Sequence, residues 1–130
     1  MKLPLWMRGT MFATAAMNLT GAAAFLPFAK SLRQMGGLPE DGHPLYTLTV
    51  GAFVFIFGWA YLWAGVKGVA GRLFVATGAA GKLAFFGLLV WCWSAGTLPA
   101  KAVGAGAGDL LFGTLFVVWL YRSRGSHSEA

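Results

Sequence analysis

The sequence predicts an all-α fold, an integral membrane four-helix bundle with both termini cytoplasmic. Three observations carry that prediction. Hydrophobic residues make up 58% of the 130 residues and charged residues only 11%, where a soluble domain carries about a quarter charged. The apolar residues gather in four runs, each close to the ~20 residues a bilayer crossing needs. The lysines and arginines fall between and beside those runs, with more of them on one side, as the positive-inside rule requires.

The runs can be taken in order as a single transmembrane domain, residues 1–130, with helices at about 9–28, 45–66, 73–95 and 102–121. Lys2 and Arg8 precede the first run, and Trp6 stands at its expected interface. A basic start, an apolar core and Ala22-Ala23-Ala24 also resemble a signal peptide, but the run is long for a signal core and contains Asn18. Residues 27–36 follow, with Phe28, Leu32 and Met35 at helical spacing and Lys30, Arg33 and Gln34 elsewhere. That pattern predicts a short amphipathic turn at the membrane surface or a polar loop. Residues 37–44 are loop by composition.

The second run carries Tyr46 at one end and Trp59, Tyr61 and Trp63 toward the other, as interfacial aromatics do. Gly51 and Gly58 share one of its faces and would admit a close neighbour. The short link 67–72 makes the second and third runs antiparallel. The third run ends near Trp91 and Trp93, the fourth near Trp119 and Tyr121, and residues 122–130 form a polar tail. One side then holds Lys2, Arg8, Lys67, Arg72, Arg122 and Arg124; the other holds Lys30, Arg33 and Lys101, diluted by Glu40 and Asp41. The first side is the cytoplasmic one. Ala15-Ala16-Met17-Asn18-Leu19 matches Ala79-Ala80-Gly81-Lys82-Leu83, and Leu38-Pro39 is echoed by Leu98-Pro99. A duplicated helix pair would give this pattern.

Several chemistries are set aside. The net charge of +6 and pI near 10.0 invite a nucleic-acid reading, but the charges flank apolar runs rather than line a face, so no nucleic acid is expected. Cys92 stands alone, which leaves no internal disulfide or redox pair. His43 and His127 lie outside the runs, so two-histidine haem ligation has no ligands. No cluster has zinc-ligand spacing. No metal and no cofactor is expected.

Three strongly polar residues lie deep in the runs: Asn18, Lys82 and Asp109. At a rise of ~1.5 Å per residue, Asn18 and Lys82 each sit ~14 Å from the cytoplasmic end of their run. Asp109, ~10 Å from the other end of the fourth run, falls at a similar level of a ~30 Å core. An isolated charge there costs roughly 2.5–3.5 kcal/mol on insertion scales, and opposite charges that meet reduce it. Asn18 offers both a donor and an acceptor to complete the set. Tyr61, Phe85 and Phe112 are candidate aromatic walls around this centre. A polar centre ringed by aromatic groups suits a pocket for an amphipathic small molecule; the same three residues also suit a static pair that fixes helix register.

With its Asn-x-x-Gly segment (Asn18 to Gly21) and its Gly81-Lys82 and Gly108-Asp109 pairs, the chain resembles the small bacterial four-helix membrane proteins of the broad DoxX-like kind, over about residues 8–122. The resemblance implies a multi-pass protein of the bacterial cytoplasmic (inner) membrane. Some of those proteins are similar to subunits of membrane quinone-linked oxidoreductases. No catalytic motif carries over to residues here.

The leading expectation is a non-enzymatic membrane protein that binds a lipid-like or quinone-like small molecule between its helices, or serves as an accessory subunit of a larger membrane complex. The alternative is a small transporter or proton-coupled carrier, working as a homo-oligomer and using Lys82 and Asp109. A third class is a membrane enzyme acting through Glu40, Asp41 and His43 at the outer surface. Adjacent acids before a helix are more often solvated helix-start residues.

Overall fold

In a computed structural model, which describes residues 1–39 and 42–125, the chain is all-helical, with no strand among the described residues. The helices are α1 (Leu5–Gly21), α2 (Lys30–Met35), α3 (Pro44–Lys67), α4 (Arg72–Ser94), α5 (Ala100–Ala105) and α6 (Ala107–Arg122), with a 3-10 turn at Ala22–Phe25. Two of them, α3 and α4, are long and apolar enough to cross a membrane, with mean hydropathies of 1.7 and 1.9. Both match the second and third apolar runs to within one residue at each end. Pro44 opens α3 at a position where its missing N–H costs nothing. Gly68 closes it in the left-handed conformation, at φ 72°.

The outer runs differ from expectation. The first extends only to Gly21 as α-helix, then tightens into the 3-10 turn and leaves helical geometry at Leu26 (ψ 144°). Leu26 precedes Pro27, whose ring disfavours helical backbone at the residue before it. The fourth run breaks at Gly106 (φ −88°, ψ 2°) into α5 and α6. A Cβ at Gly106 would collide with the Leu89 side chain of α4, so the break lets the two chains approach. The amphipathic stretch forms α2, but not with its basic residues on one solvent face. Arg33 is buried and donates to the carbonyls of Ala24 and Leu26 at 2.9 and 2.7 Å, oxygens freed where α1 ends. Phe28, Leu32 and Met35 remain exposed.

Packing follows two tight pairs, α1 on α3 and α4 on α6, joined by contacts of α1 with α6. Glycines set the close approach. A Cβ at Gly58 would meet Leu19 at 2.9 Å and Asn18 at 3.1 Å; one at Gly113 would meet Leu83 at 3.0 Å and Lys82 at 3.3 Å. Higher up, Gly51 abuts Phe25 as Gly106 abuts Leu89. The two pairs are therefore built alike: Asn18 corresponds to Lys82, Leu19 to Leu83, Phe25 to Leu89, Gly51 to Gly106, and Gly58 to Gly113. The ends agree too. Arg8 donates to the carbonyls of Gly65 and Val66 at 3.0 and 3.2 Å, closing α3. Arg72 donates to the Leu120 carbonyl at 2.9 Å and to Ser123 Oγ, closing α6. Cations suit helix C-termini, where the carbonyls have no intrahelical partner.

These contacts place the start of α1, the end of α3, the start of α4 and the end of α6 at one end of the molecule. Leu3 N–H bonds the Gly68 carbonyl at 2.8 Å and Ala70 N–H bonds the Met1 carbonyl at 3.0 Å, tying the N-terminal segment to the α3–α4 turn. Lys67 lies over the Trp63 ring and Arg124 over the Tyr121 ring. The core above this end is Met7, Met11, Ala15, Tyr61, Val75, Phe116 and Trp119.

Candidate functional site

The structure brings the three deep polar residues together. Each arrives on the buried side of its helix because the small residues beside it let a neighbour close in. Lys82 Nζ donates to Asn18 Oδ1 at 3.0 Å and to Asp109 Oδ1 at 3.3 Å. Asn18 Nδ2 donates to the Val54 carbonyl at 3.1 Å. The Lys82 side chain is 5% exposed and that of Asp109 20%, so the ammonium is enclosed while part of the carboxylate stays open. Lys82 Nζ also stands 5.2 Å from the centroid of the Tyr61 ring, within cation–π range.

Beside this centre lies a cavity of about 380 Å³. Asn18, Lys82 and Asp109 supply its charged and amide groups, and Phe25, Phe53, Phe57, Tyr61 and Phe85 much of its wall. Tyr61, 2% exposed, lines it, and its hydroxyl has no hydrogen-bond partner among the described residues. Gly78 makes room for that hydroxyl, since a Cβ there would sit 2.7 Å from it. The Tyr61 ring packs against Phe74 and Phe116, each with centroids 5.5 Å away.

Of the expected walls, Tyr61 and Phe85 line the cavity and Phe112 does not. Phe116 is the α6 aromatic that meets Tyr61. At 3.6 residues per turn a position seven after Asp109 returns to within about 20° of its direction, while one three after it lies about 60° away. Seven-residue spacing from Asp109 was the signal that could have found Phe116. Also unforeseen were Phe57, Met17 and the Val54 carbonyl. A backbone acceptor carries no sequence signature.

At the outer surface, Glu40 and Asp41 lie outside the described residues. His43 Nδ1 accepts from the Leu45 N–H at 3.1 Å and caps α3, which gives that side chain a local structural role. No group of three or more metal-ligating side chains exists among the described residues. His127 lies outside them. Cys92 is half-buried on α4 and carries a free thiol. Thr14 Oγ1, one turn before Asn18, is buried without a partner among the described residues.

Chemically the centre is a neutral ion pair with an amide bridge. Among the described residues it pairs no nucleophile with a neighbouring base. It does offer hydrogen-bonding groups inside an apolar enclosure. No protein-family model matches the chain, and comparison with curated proteins and with solved structures returns no match.

Proposed function

We propose that the chain is a multi-pass membrane protein whose four membrane-crossing segments form a bundle around one small lipid-like or quinone-like molecule, with both termini in the cytoplasm. The observation that carries the binding reading is the cavity of about 380 Å³ with an apolar, aromatic wall and the Lys82–Asp109–Asn18 centre at its side. Ligand pockets combine that kind of volume and lining with a few placed polar groups.

The outward faces of α3 and α4 support the membrane reading. Only 11% and 28% of their most apolar windows are buried by the protein. The core helix of a soluble protein buries far more. Phe53, Ile56, Trp63, Leu88 and Trp91 stay at least half exposed, and lipid would cover what the protein leaves bare. The gathering of Lys2, Arg8, Lys67, Arg72, Arg122 and Arg124 toward one end supports its placement in the cytoplasm. Within this reading the chain is a relative of the DoxX-like bacterial inner-membrane proteins, acts without catalysis, and serves alone or as the accessory subunit of a membrane complex.

Native mass spectrometry of protein released in mild detergent tests the proposal. One neutral lipid or quinone retained per chain is the expected result. A chain that carries nothing, and takes up nothing from a mixed lipid and quinone extract, would refute it.

A further inference from the structure

The two pairs of helices are built alike, so they should present two equivalent seams, α3 against α4 and α1 against α6. They do not match. In the α1–α6 seam Met17 rests on Gly108, where an added Cβ would strike the Met17 sulfur, and the two helices touch. The position equivalent to Met17 is Gly81. It is exposed, lines the cavity, and has open space around its missing side chain. Phe53 of α3, the equivalent of Gly108, lines the same cavity. The backbones of α3 and α4 stay apart, although a turn joins them, and their link is the aromatic cluster of Phe57, Tyr61 and Phe74. Cavity-lining residues Val50, Phe53, Thr77 and Gly81 are exposed along this seam.

The groups inside then select what can be admitted. Lys82 satisfies Asn18 and Asp109 and keeps a third proton without an oxygen partner among the described residues. The Tyr61 hydroxyl, almost fully enclosed, also has none. Both are donors. An anionic head would compete with Asp109 for Lys82, and a cationic head would compete with Lys82 for Asp109. The first would leave the carboxylate, 20% exposed, without its cation, and the second would strand the enclosed ammonium. A neutral head with a carbonyl oxygen meets the donors and leaves the ion pair intact.

We infer that the cavity takes the neutral, carbonyl-bearing head of a lipid-soluble molecule, which passes sideways from the bilayer through the α3–α4 seam held open by Gly81. This rests on the binding reading above. A quinone head and a glyceride ester share the chemistry, and the two are separated by experiment.

The test uses the full chain in nanodiscs and four probes of similar tail length: a decyl benzoquinone, dioctanoylglycerol, decanoate and decylamine. One or both neutral probes bind, and the charged two bind at least ten-fold more weakly. The neutral probe that binds more tightly identifies the source. Tyr61→Phe weakens the neutral probe about five-fold, the loss of one hydrogen bond, while the protein's melting temperature reports that the fold is kept. Gly81→Met, which copies the residue at the equivalent position, slows association at least ten-fold. Gly87→Met, on the same helix with open space around it but away from the cavity, does not. Charged probes binding as tightly as neutral ones would overturn the assignment of the head. Equal association rates for the two methionine variants would overturn sideways admission while leaving the binding site standing. If no probe binds and no lipid co-purifies, the binding reading itself falls.

Discussion

Removing Asp109 should destabilise this protein more than removing Lys82, although both changes break the same pair. Asp109→Leu leaves the ammonium of a side chain only 5% exposed with Asn18 Oδ1 as its one remaining oxygen. Such a stranded buried charge costs about 3 kcal/mol. Lys82→Met leaves a carboxylate whose side chain keeps 20% of its surface open. Water can reach it there, so the loss should be about 1–2 kcal/mol. The double change removes both charges and should lie about 2 kcal/mol above the sum of the singles in stability, a coupling expected of residues in one network. Reversible unfolding in mixed micelles, followed by circular dichroism, measures all three. If the single losses add in the double variant to within about 0.5 kcal/mol, the two residues are not coupled and the geometry at 3.3 Å has no energetic meaning. If Lys82→Met proves the costlier single, the enclosure of the ammonium has been misjudged.

Gly78→Ala should destabilise by about 1–3 kcal/mol, because its methyl would lie 2.7 Å from the Tyr61 hydroxyl and 3.2 Å from Phe116; adding Tyr61→Phe should recover part of the loss in the same melt. Arg8→Ala should cost about 1 kcal/mol by uncovering the Gly65 and Val66 carbonyls, and an unchanged melting temperature would remove the capping role. In intact bacterial cells of a Cys92→Ser background, a membrane-impermeant thiol reagent should label Thr97→Cys and spare Gly125→Cys; the reverse pattern would invert the proposed topology.

The sequence read most clearly where the backbone had no competing instruction. Helices α3 and α4 are uninterrupted apolar stretches bounded by Pro44, Gly68 and Gly71, and their limits were legible almost to the residue. The outer runs were misjudged where hydropathy and backbone chemistry disagree. Residues 22–28 are apolar enough to continue a helix, but Pro27 dictates extended geometry at Leu26. The run 102–121 reads as continuous because glycine hardly lowers hydropathy, while Gly106 is the point of closest approach to Leu89. The polar centre was legible through depth, since two charges and an amide in apolar runs have few other places to go. The aromatic wall was less so. Which ring turns inward depends on helix rotation: a three-residue count from Asp109 selected Phe112, which does not line the cavity, whereas two full turns lead to Phe116, the core ring that packs behind Tyr61.

The repeated build of the two hairpins has a consequence for what a single chain can do that a pair of identical chains cannot. Each hairpin carries the same rung: Asn18 reaches the Val54 carbonyl, and Lys82 reaches the Asp109 carboxylate from the corresponding position. In a two-fold dimer of one hairpin, every residue on the axis would face its own copy. Lysine would oppose lysine, and methionine at both seams would seal the interior twice. Within one polypeptide the two arms can differ. One arm keeps the amide and the other takes the charge, so that they bond at 3.0 Å instead of repelling. One flank keeps its methionine and the other drops to glycine. One polypeptide thereby carries an asymmetric interior in a nearly symmetric frame, with the amide on one arm, the charge on the other, and a glycine where the counterpart seam has methionine.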